Sequence, residues 1–122
     1  LGQPGRHHPH ALVNVHLKGV FFLIQRLLPL MNDGGRILNL SSGLARFALP
    51  GYAAYAAMKG AVEVLSRYLA QELGPRGIAV NVVASGAIET DFGGGPLVAV
   101  LLQPATRWVN AQRIEASGGM FL

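Results

Sequence analysis

The sequence predicts an α/β fold, a parallel sheet with helices on both faces. Apolar periodicity and turn residues alternate along the chain as helix, strand, helix, strand, short helix, strand. The run Ile78–Ala84 (Ile-Ala-Val-Asn-Val-Val-Ala) is apolar and β-branched over a strand's length, as a strand covered on both sides must be. Right-handed crossovers then join the parallel strands. A chain of 122 residues holds one domain, and with 51% hydrophobic and 13% charged residues it is not intrinsically disordered.

Each element has its own signals. Leu1–His10, with two Gly, two Pro and three His, reads as an irregular leader. His7, His8 and His10 are incidental there, because adjacent imidazoles in a Pro-rich tail do not preorganise a metal site, and no metal is expected. Ala11–Met31 carries a helical stripe of Leu12, Val15, Gly19, Phe22, Leu23, Leu27 and Leu30, stopped by Asn32, Asp33, Gly34 and Gly35. Arg36–Ser41 is a short strand, and Gly43–Gly51 a loop ended by Pro50 and Gly51. Tyr52–Leu73, rich in Ala and Leu, is the strongest helix, closed by Gly74 and Pro75. Ser85–Gly95 is loop, Pro96–Leu102 a short helix, and Gln112–Ser117 a last strand ended by Gly118 and Gly119. The domain proper is 11–122.

Composition removes several function classes. The absence of Cys eliminates disulfides, thiolate nucleophiles and Cys-ligated zinc, and fits a reducing compartment. The net charge of +4 comes from scattered Arg and Lys with no stripe to follow a phosphate backbone, which argues against nucleic acid. The longest apolar stretch, Gly19–Met31, is broken by Gln25 and Arg26 and falls short of the roughly 20 residues of a membrane span. Leu1–His10 lacks the apolar block of a secretory signal, so a cytoplasmic protein with no membrane partner is expected. The high apolar content implies surface hidden against partner chains.

Ligands of open parallel sheets bind beyond the carboxyl ends of the strands, which points to Ser41 and Ser42 and to the loop from Ser85. Tyr55 and Lys59 lie four apart on the long helix and project from one face, about 6 Å apart along its axis. With only two Lys in the chain, roughly 0.05 such pairs arise by accident. Two readings of the pair stand side by side: an acid–base site, or a packed ring with a lysine stem snorkelling past it. Ser42 precedes Tyr55 by thirteen residues, enough loop to return its hydroxyl to the helix, and Asn14 lies 28 residues before Ser42.

Asn14, Gly35-Arg-Ile-Leu-Asn-Leu-Ser-Ser-Gly43, Tyr55-Ala-Ala-Met-Lys59 and Asn81-Val-Val-Ala-Ser-Gly-Ala-Ile-Glu-Thr90, in this order and at these spacings, resemble the short-chain dehydrogenase/reductase family. The resemblance runs from about Val13 to Phe92 and resumes at Arg107–Met120. It implies a Rossmann-like fold and an oxidoreductase that interconverts a carbonyl and an alcohol with NAD or NADP. It also implies a homo-oligomer, dimer or tetramer, built through the two long helices. By position Ser42, Tyr55 and Lys59 match the family's catalytic triad, and Asn14 the asparagine that completes its tetrad. Tyr55, Lys59, Gly86, Ile88 and Thr90 match cofactor-contacting positions. Asn14 and Thr90 each have a structural alternative, a backbone bond within a helix and a cap on a following turn.

The implied chemistry is physically sensible. A carbonyl that accepts hydride becomes an alkoxide and needs a proton as the charge develops. A phenol titrates near 10, and an ammonium about 5 Å away at an effective dielectric near 20 favours phenolate by roughly 3 kcal/mol, about two pKa units. Lys59 is thus expected to bring Tyr55 toward neutrality and to hold the nicotinamide ribose. Ser42 is expected to bind the substrate oxygen, and Asn14 a proton-relaying water.

The chain also departs from the family pattern. Members usually run to about twice this length and begin with a strand, a Gly-rich turn and a helix that binds the pyrophosphate. Here Gly34-Gly35, Gly93-Gly94-Gly95 and Gly118-Gly119 are turn or loop glycines in the wrong context. The residue that separates NAD from NADP and the Asn-Asn-Ala-Gly-like segment are missing, and the substrate-covering segment near Gly95-Pro96 is short. Ser85 stands where the family typically has Pro. The sequence therefore reads as a truncated domain lacking the N-terminal βαβ cofactor half. The alternative to an enzyme is a truncated, non-catalytic relative that oligomerises through Ala11–Met31 and Tyr52–Leu73.

Overall fold

The computed structural model describes residues 13–42, 45, 48, 50–85 and 94–116. The leader Leu1–His10 and the glycines at 118 and 119 lie outside these residues, as does most of the expected loop Ser85–Gly95.

The first helical stretch changes hydrogen-bond register along its length. A π-helical segment, Val13–Lys18, leads into α1 (Gly19–Leu27), which tightens to a 3₁₀ turn at Leu28–Leu30. Strand β1 (Arg36–Ser42) follows, then α2 (Ala53–Glu72), a 3₁₀ turn at Gly74–Arg76 and β2 (Ala79–Ser85). Helix α3 (Gly94–Leu101), a 3₁₀ turn at Pro104–Thr106 and β3 (Arg113–Ala116) complete the described chain. Each expected element is present, with ends displaced by one or two residues.

The three strands are parallel in the order β1-β2-β3. Side chains in register share a face, so Asn39, Val82 and Arg113 form one row and Ser41, Ala84 and Glu115 the next. Asn39 Nδ2 donates to Ser66 Oγ at 2.8 Å, and Ser66 donates to the Val62 carbonyl, so these rows lie beneath α2. Ile78, Val80, Ala70 and Leu73 form the core under this helix, flanked by Leu28, Met31, Ile37 and Leu69. On the opposite face of β2, Ala79, Asn81 and Val83 are equally buried, and α3 packs against this strand. The continuous apolar run of β2 thus serves a central strand enclosed from both sides. Its Asn81 is satisfied at both ends of the amide, donating to the Val109 carbonyl at 2.9 Å and accepting from Gln112 N at 3.0 Å.

Burial on the first helix differs from the expected stripe. Val15, Phe22, Leu23, Leu27 and Leu30 are exposed, whereas Val20, Ile24 and Leu28 turn inward. The helix is apolar around most of its circumference, so periodicity alone cannot select the inward face; packing of the π segment against α2 selects it. The C-terminal end of this stretch is tied by Arg76, which bonds the carbonyls of Leu28 (3.0 Å) and Met31 (2.6 Å) and pairs with Asp33 at 2.8 Å. Gly77 closes the preceding turn in the left-handed region at φ +68°, where a side chain would be strained.

Candidate active site

Of the polar side chains singled out above, Ser42 lies at the carboxyl end of β1, and Tyr55 and Lys59 lie on α2. Tyr55 sits in the first turn of α2, where the positive end of the helix dipole favours an anion. Lys59, one turn on, places Nζ 5.7 Å from the centre of the Tyr55 ring, over its face. The same ammonium donates to the Leu40 carbonyl at 3.2 Å, which anchors it to the strand that ends in Ser42. Ser42, the last residue of β1, is buried, and Arg113 Nη2 binds its carbonyl at 3.3 Å. Asn14 lies on the π segment with an exposed side chain. That segment reaches the site through His16, whose ring meets Tyr55 edge to face with centroids 5.3 Å apart. Gly86, Ile88 and Thr90 lie outside the described residues.

The electrostatics correct one expectation. Burial pushes the Tyr55 phenol above its ordinary value of 10.0 rather than letting the cation bring it down. Burial also lowers Lys59 from its ordinary value. The cation lies over the ring and is engaged by Leu40, so its attraction for a phenolate does not offset the loss of water around a half-buried hydroxyl. His16 is lowered by burial first and by Lys59 second, which favours a neutral imidazole beside the ring.

Three polar residues of this region, Glu63, Arg113 and Glu115, were not singled out in the sequence. Glu63 follows Lys59 by one helical turn, a spacing that could have drawn attention to it. It accepts from Ser41 Oγ at 2.5 Å and from Arg113 Nε at 2.8 Å. Arg113 also donates to Glu115 at 2.7 Å. Burial alone would lower this guanidinium, but its bonds to Glu115 and Glu63 prevail and hold it above its ordinary value. Glu63 and Arg113 are fifty residues apart, and no local pattern announces their meeting.

The donor set suits the ribose end of a nicotinamide cofactor. Tyr55 brings a hydroxyl and Lys59 an ammonium to one face of α2, and both groups bond readily to sugar hydroxyls. Among the described residues no group of three or more His, Asp or Glu side chains could hold a metal ion.

Comparison with known proteins identifies the family. A family described as Enoyl-(Acyl carrier protein) reductase matches residues 6–97. A short-chain type dehydrogenase/reductase of Picea abies is 35% identical over 88% of this chain and 50% of its own length. Among solved structures, the promiscuous reductase LugOII, which catalyses keto-reduction at C1 during lugdunomycin biosynthesis, superposes with a TM-score of 0.82 at 42% identity, covering 87% of this chain and 46% of that one. The angucycline C-6 ketoreductase LanV with bound NADP gives 0.82 at 33% identity, covering 98% and 57%. The chain spans roughly half to three-fifths of the length of its curated relatives. The matched residues, the sheet order and the place of the Tyr55–Lys59 pair converge: this chain belongs to the short-chain dehydrogenase/reductase family.

Proposed function

We propose that the chain carries the acid–base centre of an NAD(P)-dependent oxidoreductase that interconverts a small-molecule carbonyl and its alcohol. The observation that supports this most directly is the Tyr55–Lys59 pair, held on one face of α2 and tied through Leu40 to the strand ending in Ser42. When bound, the nicotinamide supplies or accepts the hydride. Tyr55 gives its proton to the substrate oxygen as negative charge develops there, and takes a proton from the alcohol in the reverse direction. Lys59 bonds the ribose and stabilises the phenolate transiently formed. Ser42 holds the substrate oxygen, and Asn14 positions a water through which the phenol is reprotonated. Gly86, Ile88 and Thr90 contact the nicotinamide end. The NADP complex of LanV and the keto-reduction by LugOII favour a ketone substrate and leave either NADP or NAD as cofactor.

The protein is proposed to act as a cytoplasmic homo-oligomer, a dimer or tetramer. No helix among the described residues is long and apolar enough to cross a membrane. A second reading, a non-catalytic oligomerising module, draws on one observation: Phe21, Phe22, Leu23, Leu27 and Leu30 are exposed together along the first helix. Titration with NADPH, followed by nicotinamide fluorescence and by ketone-dependent loss of its absorbance, separates the two. Saturable binding with turnover supports the enzyme; a folded oligomer that ignores NADPH supports the module and ends the first reading.

A further inference from the structure

The Glu63–Arg113 pair ties together the three elements that build the candidate site. Glu63 on α2 accepts from Ser41 on β1 through one oxygen and from Arg113 on β3 through the other. Arg113 reaches back across β2 to the carbonyl of Ser42 and is held from its other side by Glu115. Ala84 occupies the β2 position between Ser41 and Glu115, so only a methyl group stands in this row. Ser41 Oγ also approaches the backbone carbonyl of Lys59 at 3.4 Å, and Lys59 Nζ binds Leu40. The last three residues of β1 are therefore gripped from α2 and β3 by charged groups that are themselves mostly buried.

Stability alone is a weak reason for this arrangement. A buried ion pair roughly breaks even against apolar side chains of the same volume, whereas it imposes geometry that apolar packing does not. A forked guanidinium bonding two carboxylates and one particular carbonyl fixes that carbonyl in distance and direction. The carbonyl it fixes belongs to Ser42.

We propose that Glu63 and Arg113 are positioning residues that set the end of β1, and with it Ser42 and Lys59, in register with Tyr55. This proposal rests on the catalytic reading given above for its consequence in turnover, but its geometric content can be tested separately. Arg113→Lys keeps the charge but cannot reach Glu63, Glu115 and Ser42 together; Glu63→Gln keeps the shape and removes the charge.

The ¹³C resonance of the Ser42 carbonyl and the side-chain ¹⁵N resonance of Lys59 are to be compared in the parent chain and both variants, alongside kcat and KM for NADPH-dependent ketone reduction. Both resonances are expected to move, and kcat to fall by about 10- to 100-fold as reacting groups are misplaced, with KM changed less than about twofold and the circular dichroism unaltered. Unchanged resonances in folded variants overturn the proposal, as does a kcat loss that merely follows the unfolded fraction. If the parent chain shows no turnover, the catalytic reading fails while the two resonances still decide the positioning role. If the single variants do not fold, the apolar pair Glu63→Leu with Arg113→Met decides it: native folding with depressed kcat or displaced resonances supports the proposal, and parent-like values of both overturn it.

Discussion

Tyr55 shows how far one side chain's surroundings can depart from a pairwise argument. An ammonium over its ring should draw the phenol down, yet the hydroxyl is half-buried and the loss of hydration prevails. A phenol raised in this way stays protonated at neutral pH; on the proposed mechanism it is then ready to donate in carbonyl reduction, and alcohol oxidation is expected to need alkaline pH. Replacing Tyr55 with Phe keeps the ring that meets His16 and removes only the hydroxyl. Reduction should fall by about 10²- to 10⁴-fold with an unchanged circular dichroism spectrum, and a mutant that retains its rate refutes the role. His16 makes a separate prediction. Burial and Lys59 hold its folded value below the ordinary 6.5, so between the two values the unfolded chain binds more protons than the folded one. Stability must therefore fall as pH drops through about 6.5 and stop falling, on this account, once the folded imidazole is also protonated. Melting at pH 7.5 and at pH 5 should show a larger loss for the parent than for His16→Phe, which keeps the edge-to-face contact; equal losses would clear His16 of the effect.

At the scale of elements, the Arg76 knot joins the end of the first helix to the approach to β2. Two of its contacts go to the backbone carbonyls of Leu28 and Met31 at the end of that stretch, and the third goes to the Asp33 carboxylate. Arg76→Ala removes the guanidinium from both carbonyls, leaving Leu28 only its bond from Met31 N, and should cost about 1–3 kcal/mol, read as a lower denaturant midpoint with an unchanged slope. The exposed Asp33 contact contributes little of this, because its carboxylate remains well solvated. The residues of α2 were legible beforehand, since Tyr55 and Lys59 belong to one helix and sequence spacing there is spatial geometry. The placement of Ser42 followed nearly as well, from the rule that chemistry collects where parallel strands end. Glu63 with Arg113 was not legible, because a contact between residues fifty positions apart is created by the crossover and the strand register.

Over the whole molecule, the exposed apolar residues on the first helix form the largest departure from what a solitary small domain presents. Leu23 at 60% and Leu30 at 80% exposure lie near Phe21 and Phe22, which stack edge to face. If the chain assembles through this face, Leu23→Asp should convert the oligomer to monomer without unfolding it, as measured by sedimentation velocity over a range of concentrations. A chain that sediments as a monomer before substitution removes the basis for a homo-oligomer. Trp108 is exposed at the far end of the strands, beside a cavity of about 450 Å³ that also meets Gly34, Arg36 and Arg107, well separated from Tyr55 in the fold.

What the sequence by itself determined was local: the order of helices and strands, the continuous apolar run of β2, the closure of α2 at Gly74, and the Tyr55–Lys59 spacing. Each follows from periodicity or from a residue's own backbone preference, and neither needs a distant partner. Tertiary structure alone decided which face of the first helix turned inward, that burial and not the cation governs Tyr55, and that Arg113 would close on Glu63 and Ser42. These depend on desolvation and on contacts between segments far apart in the chain, quantities that exist only once the sheet has assembled.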